Sequence, residues 1–195
     1  MEKFTVHRGT AVPLRRSDVD TDQIIPVRFC ASTDRDGHAD ALFADWRDDP
    51  GFVLNRPEHR GATILLAGND FGTGSSREYA VWALQDYGFR VVVAPRYGDI
   101  FRGNSLMNGL LTIVLPSRVV TGLWEAVEAD PAVPLVVDLE ALELRCGDRV
   151  HPFELDAEAR DRLLAGLDPI DATLRDENEI EAYEKNRRPA LPTTC

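Results

Sequence analysis

Apolar positions recur along the chain in short blocks that predict alternating strands and helices. Residues 62–67 and 90–94 are largely apolar runs, typical of strands buried on both faces of a sheet. Between them, residues 79–87 place apolar side chains three or four positions apart, which predicts an amphipathic helix. A strand, a helix and a second strand in this order predict a parallel pair with a right-handed crossover.

Similar patterns predict further elements on both sides of this unit. Residues 4–14 are predicted as short strands with a break at residues 7–9, and residues 103–105 as a loop. The other predicted strands are residues 110–115, 135–139, 142–145 and 150–155, the last two joined by a hairpin at residues 146–148. The other predicted helices are residues 41–46, 97–102, 117–129 capped by Ser117, a helix to about residue 165 capped by Asp156, and residues 177–185.

Length and composition favour one globular domain. The chain has 195 residues, of which 44% are hydrophobic and 28% charged, and it contains no repeat or low-complexity linker. We therefore expect a single domain over residues 1–188 and a C-terminal tail over residues 189–195. The formal net charge of −11 argues against a nucleic-acid partner, because no basic field replaces phosphate counterions. The absence of a signal-like or membrane-length apolar run predicts a cytoplasmic protein.

The metal-binding signatures that the sequence suggests at first do not hold. Cys30, Cys146 and Cys195 are too far apart for a zinc ribbon or iron–sulfur motif, so no metal or cofactor is expected in this chain. The alternating aspartates of residues 18–22 suggest a calcium loop, but its sixth position is glutamine and its twelfth phenylalanine. We expect an Asx-rich turn there, with side chains bonded to the local backbone.

Candidate chemistry is concentrated in residues 68–79 (GNDFGTGSSREY), between the first predicted strand and the amphipathic helix. A strand, a glycine-rich turn and a helix N-terminus together direct backbone N–H groups at an anion. Gly74, Ser75, Ser76 and Arg77 are placed where that anion would bind. The pattern predicts a binding and catalytic turn for a carboxylate substrate.

A purely structural explanation of this turn is also available. Ser75 and Glu78 have the spacing of a capping box, and glycines permit positive φ. Against it, the turn contains more glycine and serine than one cap requires. Arg77 also places positive charge in the first helical turn, where the helix dipole disfavours it by roughly 0.3–1 kcal/mol. Residues that violate the usual preferences for turn composition and helix-terminal charge often mark functional sites.

Other functions for the turn have weaker support. It lacks the GK[ST] of a phosphate-binding loop, the third glycine of a dinucleotide motif and the GxSxG of a hydrolase. A serine could instead transfer a proton, but its pKa lies far above neutrality. A helix N-terminus contributes at most about 2 kcal/mol, equivalent to roughly 1.5 in pKa. A Lewis acid that binds the substrate is therefore required, and we expect a partner chain to carry it.

Four motifs resemble a known family. Residues 72–78 (GTGSSRE) are similar to the signature of the mobile swivel domain of the aconitase superfamily. Residues 20–26 (DTDQIIP), 99–105 (DIFRGNS) and 109–111 (GLL) resemble the small subunits of 3-isopropylmalate dehydratase. The resemblance covers most of the chain.

This resemblance implies an α/β fold, a three-layer β/β/α swivelling domain of the aconitase C-terminal type. It implies docking onto a large subunit that holds a 4Fe–4S cluster, and conversion of 2-isopropylmalate to 3-isopropylmalate through 2-isopropylmaleate in leucine biosynthesis. By position, Ser75 would transfer the proton. Ser76 and Arg77, with Gly74 beside them, would hold a substrate carboxylate.

The chain departs from the family pattern near the expected site. The family commonly has histidine at the position of Tyr79 and a glycine–lysine pair at the position of residues 106–107, here Leu and Met. Residues 28–32 (RFCAS) replace the usual Leu-Lys-type pattern, and Arg28 or Arg35 could supply the missing cation. Three alternatives follow: a subunit acting on a different 2-substituted malate, a non-catalytic swivel module, or a stand-alone anion-binding protein.

Overall fold

The computed structural model describes residues 1–31 and 35–187. Within these residues the strands are β1 Val6–Gly9, β2 Ala11–Pro13, β3 Ile64–Leu66, β4 Val91–Ala94, β5 Leu111–Val114, β6 Leu135–Asp138, β7 Glu143–Cys146 and β8 Arg149–Pro152. The α-helices are α1 Thr21–Ile24, α2 Ala44–Arg47, α3 Glu78–Tyr87, α4 Asp99–Met107, α5 Ser117–Ala129, α6 Ala157–Ala165, α7 Pro169–Thr173 and α8 Glu177–Asn186. Short 3-10 turns occupy Val27–Phe29, Ala39–Ala41, Val53–Asn55, Pro57–His59 and Leu174–Asp176.

Strands β2, β3, β4 and β5 form a parallel sheet in that order. Leu65 of β3 is opposite Val12 of β2 and Val92 of β4, so β3 is paired on both sides. The parallel unit predicted from the apolar runs is confirmed, with α3 as its crossover helix. The glycine-rich turn therefore leaves the carboxyl end of an interior strand, a position where ligands often bind in α/β sheets.

Strands β1, β6, β7 and β8 form a separate antiparallel sheet in that order. The predicted hairpin is confirmed, since β7 and β8 are joined through Gly147, which has a φ of 57°. The predicted break at residues 7–9 is wrong, because β1 pairs with β6 as far as Gly9. A Cβ atom at Gly9 would lie 2.0 Å from Thr63 Oγ1, so close approach to the second sheet requires glycine there.

The parallel sheet has a core on each face. Leu65 and Val92 belong to the core beneath α3, whereas Ile64, Leu66 and Val93 belong to the core that the sheet shares with the antiparallel sheet, α5 and α6. These layers confirm the predicted β/β/α architecture. No helix in residues 1–31 and 35–187 is long and apolar enough to cross a membrane.

Several local predictions are corrected by tertiary packing. The predicted loop at residues 103–105 lies inside α4, where Ser105 is buried and its hydroxyl donates to the Phe101 carbonyl at 2.8 Å. Ser117 is the first residue of α5 rather than its cap. The cap predicted at Asp156 is confirmed, since its carboxylate accepts from the Ala159 N–H at 3.0 Å. The tail predicted at residues 189–195, with Cys195, lies outside the described residues.

Candidate functional site

The turn between β3 and α3 is buried at Gly72 and becomes exposed at residues 74–76, just before the helix. Helix α3 begins at Glu78, and Arg77 is its N-cap residue without a side-chain capping bond. The predicted capping box is therefore wrong. Ser75 lies before the cap, and the Glu78 carboxylate accepts from Asn108 Nδ2 at 2.9 Å instead. The Ser75 carbonyl is bound to a segment that is distant in sequence, described next.

The acidic turn at residues 17–25 holds the glycine-rich turn in place. Buried Thr21 donates its N–H to the Thr73 carbonyl and its hydroxyl to the Ser75 carbonyl, both at 2.9 Å. Asp20 caps α1 by accepting from the Gln23 N–H at 2.8 Å, and Gln23 reciprocates. The prediction that these aspartates bond the local backbone is confirmed for Asp20, whereas Asp22 bonds a residue distant in sequence. The motif also positions the candidate site.

The donors of the turn face solvent. Gly74, Ser75 and Ser76 are exposed. Within the described residues, the N–H groups of residues 74–77 and the hydroxyls of both serines make no hydrogen bond to protein. Unpaired N–H groups that precede a helix form a site suited to an anion. The carboxylate cradle stays a prediction, and these exposed donors are the groups that would form it.

Arg77 is oriented by Asp22 of α1. Its Nη1 donates to an Asp22 carboxylate oxygen, and the Arg77 side chain is 19% exposed. The other guanidinium nitrogens make no hydrogen bond within the part of the chain described here, so they remain able to bind a second carboxylate. No local pattern indicates this pair, because 55 positions separate the two residues.

Cys30 lies in the same electrostatic environment. Burial raises the pKa of its thiol, the charge of Arg77 opposes this shift and the charge of Asp22 adds to it. The segment after Pro26 is therefore close to the guanidinium at the start of α3. A thiol with a raised pKa is mainly protonated at neutral pH, so we assign Cys30 no role as a nucleophile.

On its other side the turn packs closely against α4. The Gly98 N–H donates to the Phe71 carbonyl at 3.0 Å, and a Cβ at Gly98 would lie 2.3 Å from the Gly72 oxygen. Gly72 has a φ of 75°, and a Cβ there would lie 2.2 Å from Cγ of buried Phe101. Both glycines are needed for this approach.

Gly72→Ala is expected to destabilise the fold by about 2–4 kcal/mol, because it combines left-handed strain with overpacking against Phe101. The measurement is urea unfolding of the isolated chain. Gly103→Ala in α4 is the matched control. A Cβ there meets no atom within 4 Å, so the change should be neutral or stabilising by about 0.5–1 kcal/mol. Equal stability of both variants would contradict the close packing at Gly72.

An aromatic cluster extends from the turn along α3. The Tyr79 ring lies edge-on to Trp82 at 4.8 Å and to His38 at 5.4 Å, measured between ring centroids. The Arg35 guanidinium lies 5.8 Å from the Trp82 ring. Neither His38 nor Trp82 is predicted as a site residue from the sequence. The i, i+3 spacing of residues 79 and 82 was the available signal.

The two arginines considered as replacement cations have different environments. Arg28 is exposed, bonds Asp45 of α2 at 2.5 Å and lies 4.7 Å from the Phe29 ring. Arg35 makes no ion pair within the described residues. Met107, at the position of the family's lysine, is exposed on α4, whereas Leu106 is buried. The structure thus brings Ser75, Ser76 and Arg77 together and leaves Arg28 paired with another element.

The turn is an open surface rather than a closed pocket. A cavity of about 550 Å³ lies between α4 and residues 154–156, and another of about 270 Å³ lies beside α5. Neither is lined by residues 72–78. Within residues 1–31 and 35–187, no group of three or more His, Cys, Asp or Glu side chains could hold a metal ion. The geometry is that of a partial site.

The fold and the turn define a class of protein. Residues 1–118 match the family model described as the aconitase C-terminal domain, and residues 121–157 match a model described as LeuD_N. The architecture is similar to a crystal structure of 3-isopropylmalate dehydratase from Methanocaldococcus jannaschii. The TM-score is 0.65 at 26% identity, over 92% of this chain and 99% of that one. The chain is an aconitase-type swivel domain.

Full-length relatives make the assignment more specific. The 3-isopropylmalate dehydratase small subunit of Thermobifida fusca is 62% identical over 100% of both chains. That of Acidothermus cellulolyticus is 61% identical over 100% of this chain and 98% of the relative. The chain belongs to the family of 3-isopropylmalate dehydratase small subunits, which are subunits of a hydro-lyase of leucine biosynthesis. The family, fold and enzyme class predicted from the motifs are confirmed.

Proposed function

We propose that this chain supplies Ser75 as the proton-transferring group, and Ser76 with Arg77 as the carboxylate-binding groups, of a two-subunit isopropylmalate dehydratase. The observation that carries the proposal is the exposed segment at residues 74–76, whose N–H groups are unpaired beside a guanidinium held by Asp22. Together they present one positive side chain and several backbone donors to a carboxylate.

The reaction exchanges a hydroxyl and a hydrogen between adjacent carbons of 2-isopropylmalate, through 2-isopropylmaleate. Dehydration removes a proton from one carbon, and the C–H electron pair becomes part of the new double bond as the hydroxyl leaves its neighbour. Ser75, as its alkoxide, takes this proton to become the neutral hydroxyl, and it returns the proton to the other carbon on rehydration. Ser76 and Arg77 hold a carboxylate so that the C–H bond faces Ser75.

The acceptor of the hydroxyl belongs to the partner. The described residues of this chain do not fit an iron–sulfur cluster, because they offer no group of cysteine or other ligands close enough together. We assign the 4Fe–4S cluster to the large subunit, where it would supply the Lewis acid that a serine base requires.

Exposed apolar side chains beside the turn support a docking face for that subunit. Val27 and Phe29 follow α1, and Ile100 and Met107 are on α4; all four are exposed. These two helices hold the turn from either side. Apolar residues around a polar open site are expected where a partner covers it. Docking would also exclude water from Ser75.

Arg35 is the better candidate for a second substrate-binding cation. Arg28 is already neutralised by Asp45, whereas Arg35 lies against Trp82 on α3, the helix that Arg77 precedes. A cation for the second carboxylate must keep free donors, and the Trp82 ring occupies only one face of the guanidinium. We therefore assign this role to Arg35.

Reconstitution with the large subunit under anaerobic conditions tests the proposed function. The highest kcat/KM is expected for 2-isopropylmalate within a series of 2-alkylmalates. In the same assay, Arg35→Ala should raise KM about 10-fold or more, as for loss of a charged hydrogen bond. Arg28→Ala is the control and should leave KM within about twofold, since exposed ion pairs contribute little.

Other outcomes of this assay have distinct meanings. A higher kcat/KM for another 2-alkylmalate would support a subunit of different substrate range. Binding to the large subunit without turnover of any malate would support a non-catalytic swivel module. Binding of a dicarboxylate by the chain alone, with no affinity for a large subunit, would contradict the proposal.

A further inference from the structure

The described part of the chain ends in a helical arm that has few packing contacts with the rest of the protein. The arm comprises α7, the 3-10 turn Leu174–Asp176 and α8. None of these three elements contains a buried residue, and all ten residues of α8 are exposed. The preceding helix α6, by contrast, buries Ala159 and Leu163 in the core.

The arm combines a short helix, which is marginally stable by itself, with exposed apolar side chains. An isolated helix of α8's length is marginally stable in water, because the free-energy cost of nucleating a helix exceeds what a few hydrogen-bonded turns contribute. Local features support it, including a capping box between Asp168 and Asp171 and an ion pair between Lys185 and Glu181 at 2.9 Å. The exposed apolar residues of the arm are Ile170 (70% exposed), Leu174 (53%), Ile180 (36%) and Tyr183 (64%).

The charge of the arm limits what can cover it. Residues 168–187 contain seven acidic and three basic residues, a net charge of −4, in a chain whose net charge is −11. A second copy of the chain, a nucleic acid and an anionic membrane would each be repelled. A protein surface with basic residues around an apolar groove is complementary to it.

We propose that this arm is a second docking element for the large subunit, with Ile180 and Tyr183 as apolar anchors and the glutamates of α8 facing basic residues. The two anchors are three positions apart and so lie on one face of α8. The inference rests on the proposed function for its partner. Under this proposal the arm holds the two subunits together, and the turn at residues 74–77 carries out the chemistry.

The test measures Kd between the full-length chain and the purified large subunit under anaerobic conditions. The double variant Ile180→Ala, Tyr183→Ala should raise Kd roughly tenfold or more, as interface anchors do. The matched control is Asn178→Ala, which removes a neutral side chain from the opposite face of α8 and should leave Kd nearly unchanged. Neither variant should shift the Tm of the chain alone, because neither removes a buried contact.

A second variant tests the charge. Changing Glu177, Glu179, Glu181 and Glu184 to glutamine should weaken binding at low salt and flatten its dependence on salt concentration. An unchanged Kd for the anchor variant, or an unchanged salt dependence for the glutamine variant, would overturn the inference. So would anchor substitutions that abolish self-association of the chain but leave large-subunit binding intact. If the unaltered chain does not bind the large subunit, the proposed function itself fails.

Discussion

Replacement of Ser75 by alanine is expected to lower kcat of the reconstituted enzyme by at least about 10²–10⁴-fold, the usual contribution of a positioned acid–base group. The Ser75 hydroxyl is exposed and makes no hydrogen bond to protein within the described residues, so its removal should not affect folding. The measurement is kcat with 2-isopropylmalate, together with Kd for the large subunit and the Tm of the variant. Only kcat should change substantially.

Ser76→Ala is the matched control for this prediction. The two serines are adjacent and equally exposed, but Ser76 is assigned to substrate binding, so its removal should mainly raise KM. Near-normal turnover by the Ser75 variant would show that the proton is transferred by another group. A loss of kcat confined to the Ser76 variant would show that Ser76 transfers the proton and that Ser75 binds the substrate.

The sequence predicted the main structural unit because its signals are local. Apolar runs identified β3 and β4, the periodic segment between them identified α3, and glycines marked the turn. The short helices α1 and α7 were missed, since four or five residues carry little periodicity. The loop predicted at residues 103–105 became part of α4 because burial of Phe101 and Leu106 outweighs the weak propensities of Gly and Asn.

The capping box, considered as a structural explanation of the turn, is absent for a related reason. Ser75 and Glu78 have the correct spacing, but their partners are Thr21 and Asn108, residues that are distant in sequence. Local spacing cannot reveal a competing long-range contact. The same limit hid the bond between Arg77 and Asp22, which decides whether the guanidinium is free or oriented. The sequence thus indicates the candidate site, and tertiary contacts determine the geometry of its residues.

Substitution of Arg77 by lysine is expected to raise KM for 2-isopropylmalate about 10- to 100-fold, the loss of one or two charge-assisted hydrogen bonds. Lysine keeps the charge but lacks the planar fork, so it cannot bond Asp22 with one nitrogen and a substrate carboxylate with the others. Affinity for the large subunit should be unchanged, because Arg77 is assigned to the substrate. Steady-state kinetics over a range of substrate concentrations gives the comparison.

Asp22→Asn distinguishes binding of the substrate by the Arg77 guanidinium from its structural bond to α1. Asparagine can still accept a hydrogen bond from Arg77 Nη1, so the side chain stays oriented while its charge is no longer neutralised. KM should then stay within a few-fold of the original or decrease, whereas Arg77→Lys raises it. If both substitutions leave KM unchanged but lower the free energy of unfolding, Arg77 is a structural residue that joins α1 to the start of α3. An anion cradle that needs Arg77 predicts that KM rises for Arg77→Lys and does not rise for Asp22→Asn, because Asp22 and the substrate carboxylate use different nitrogens of the same guanidinium.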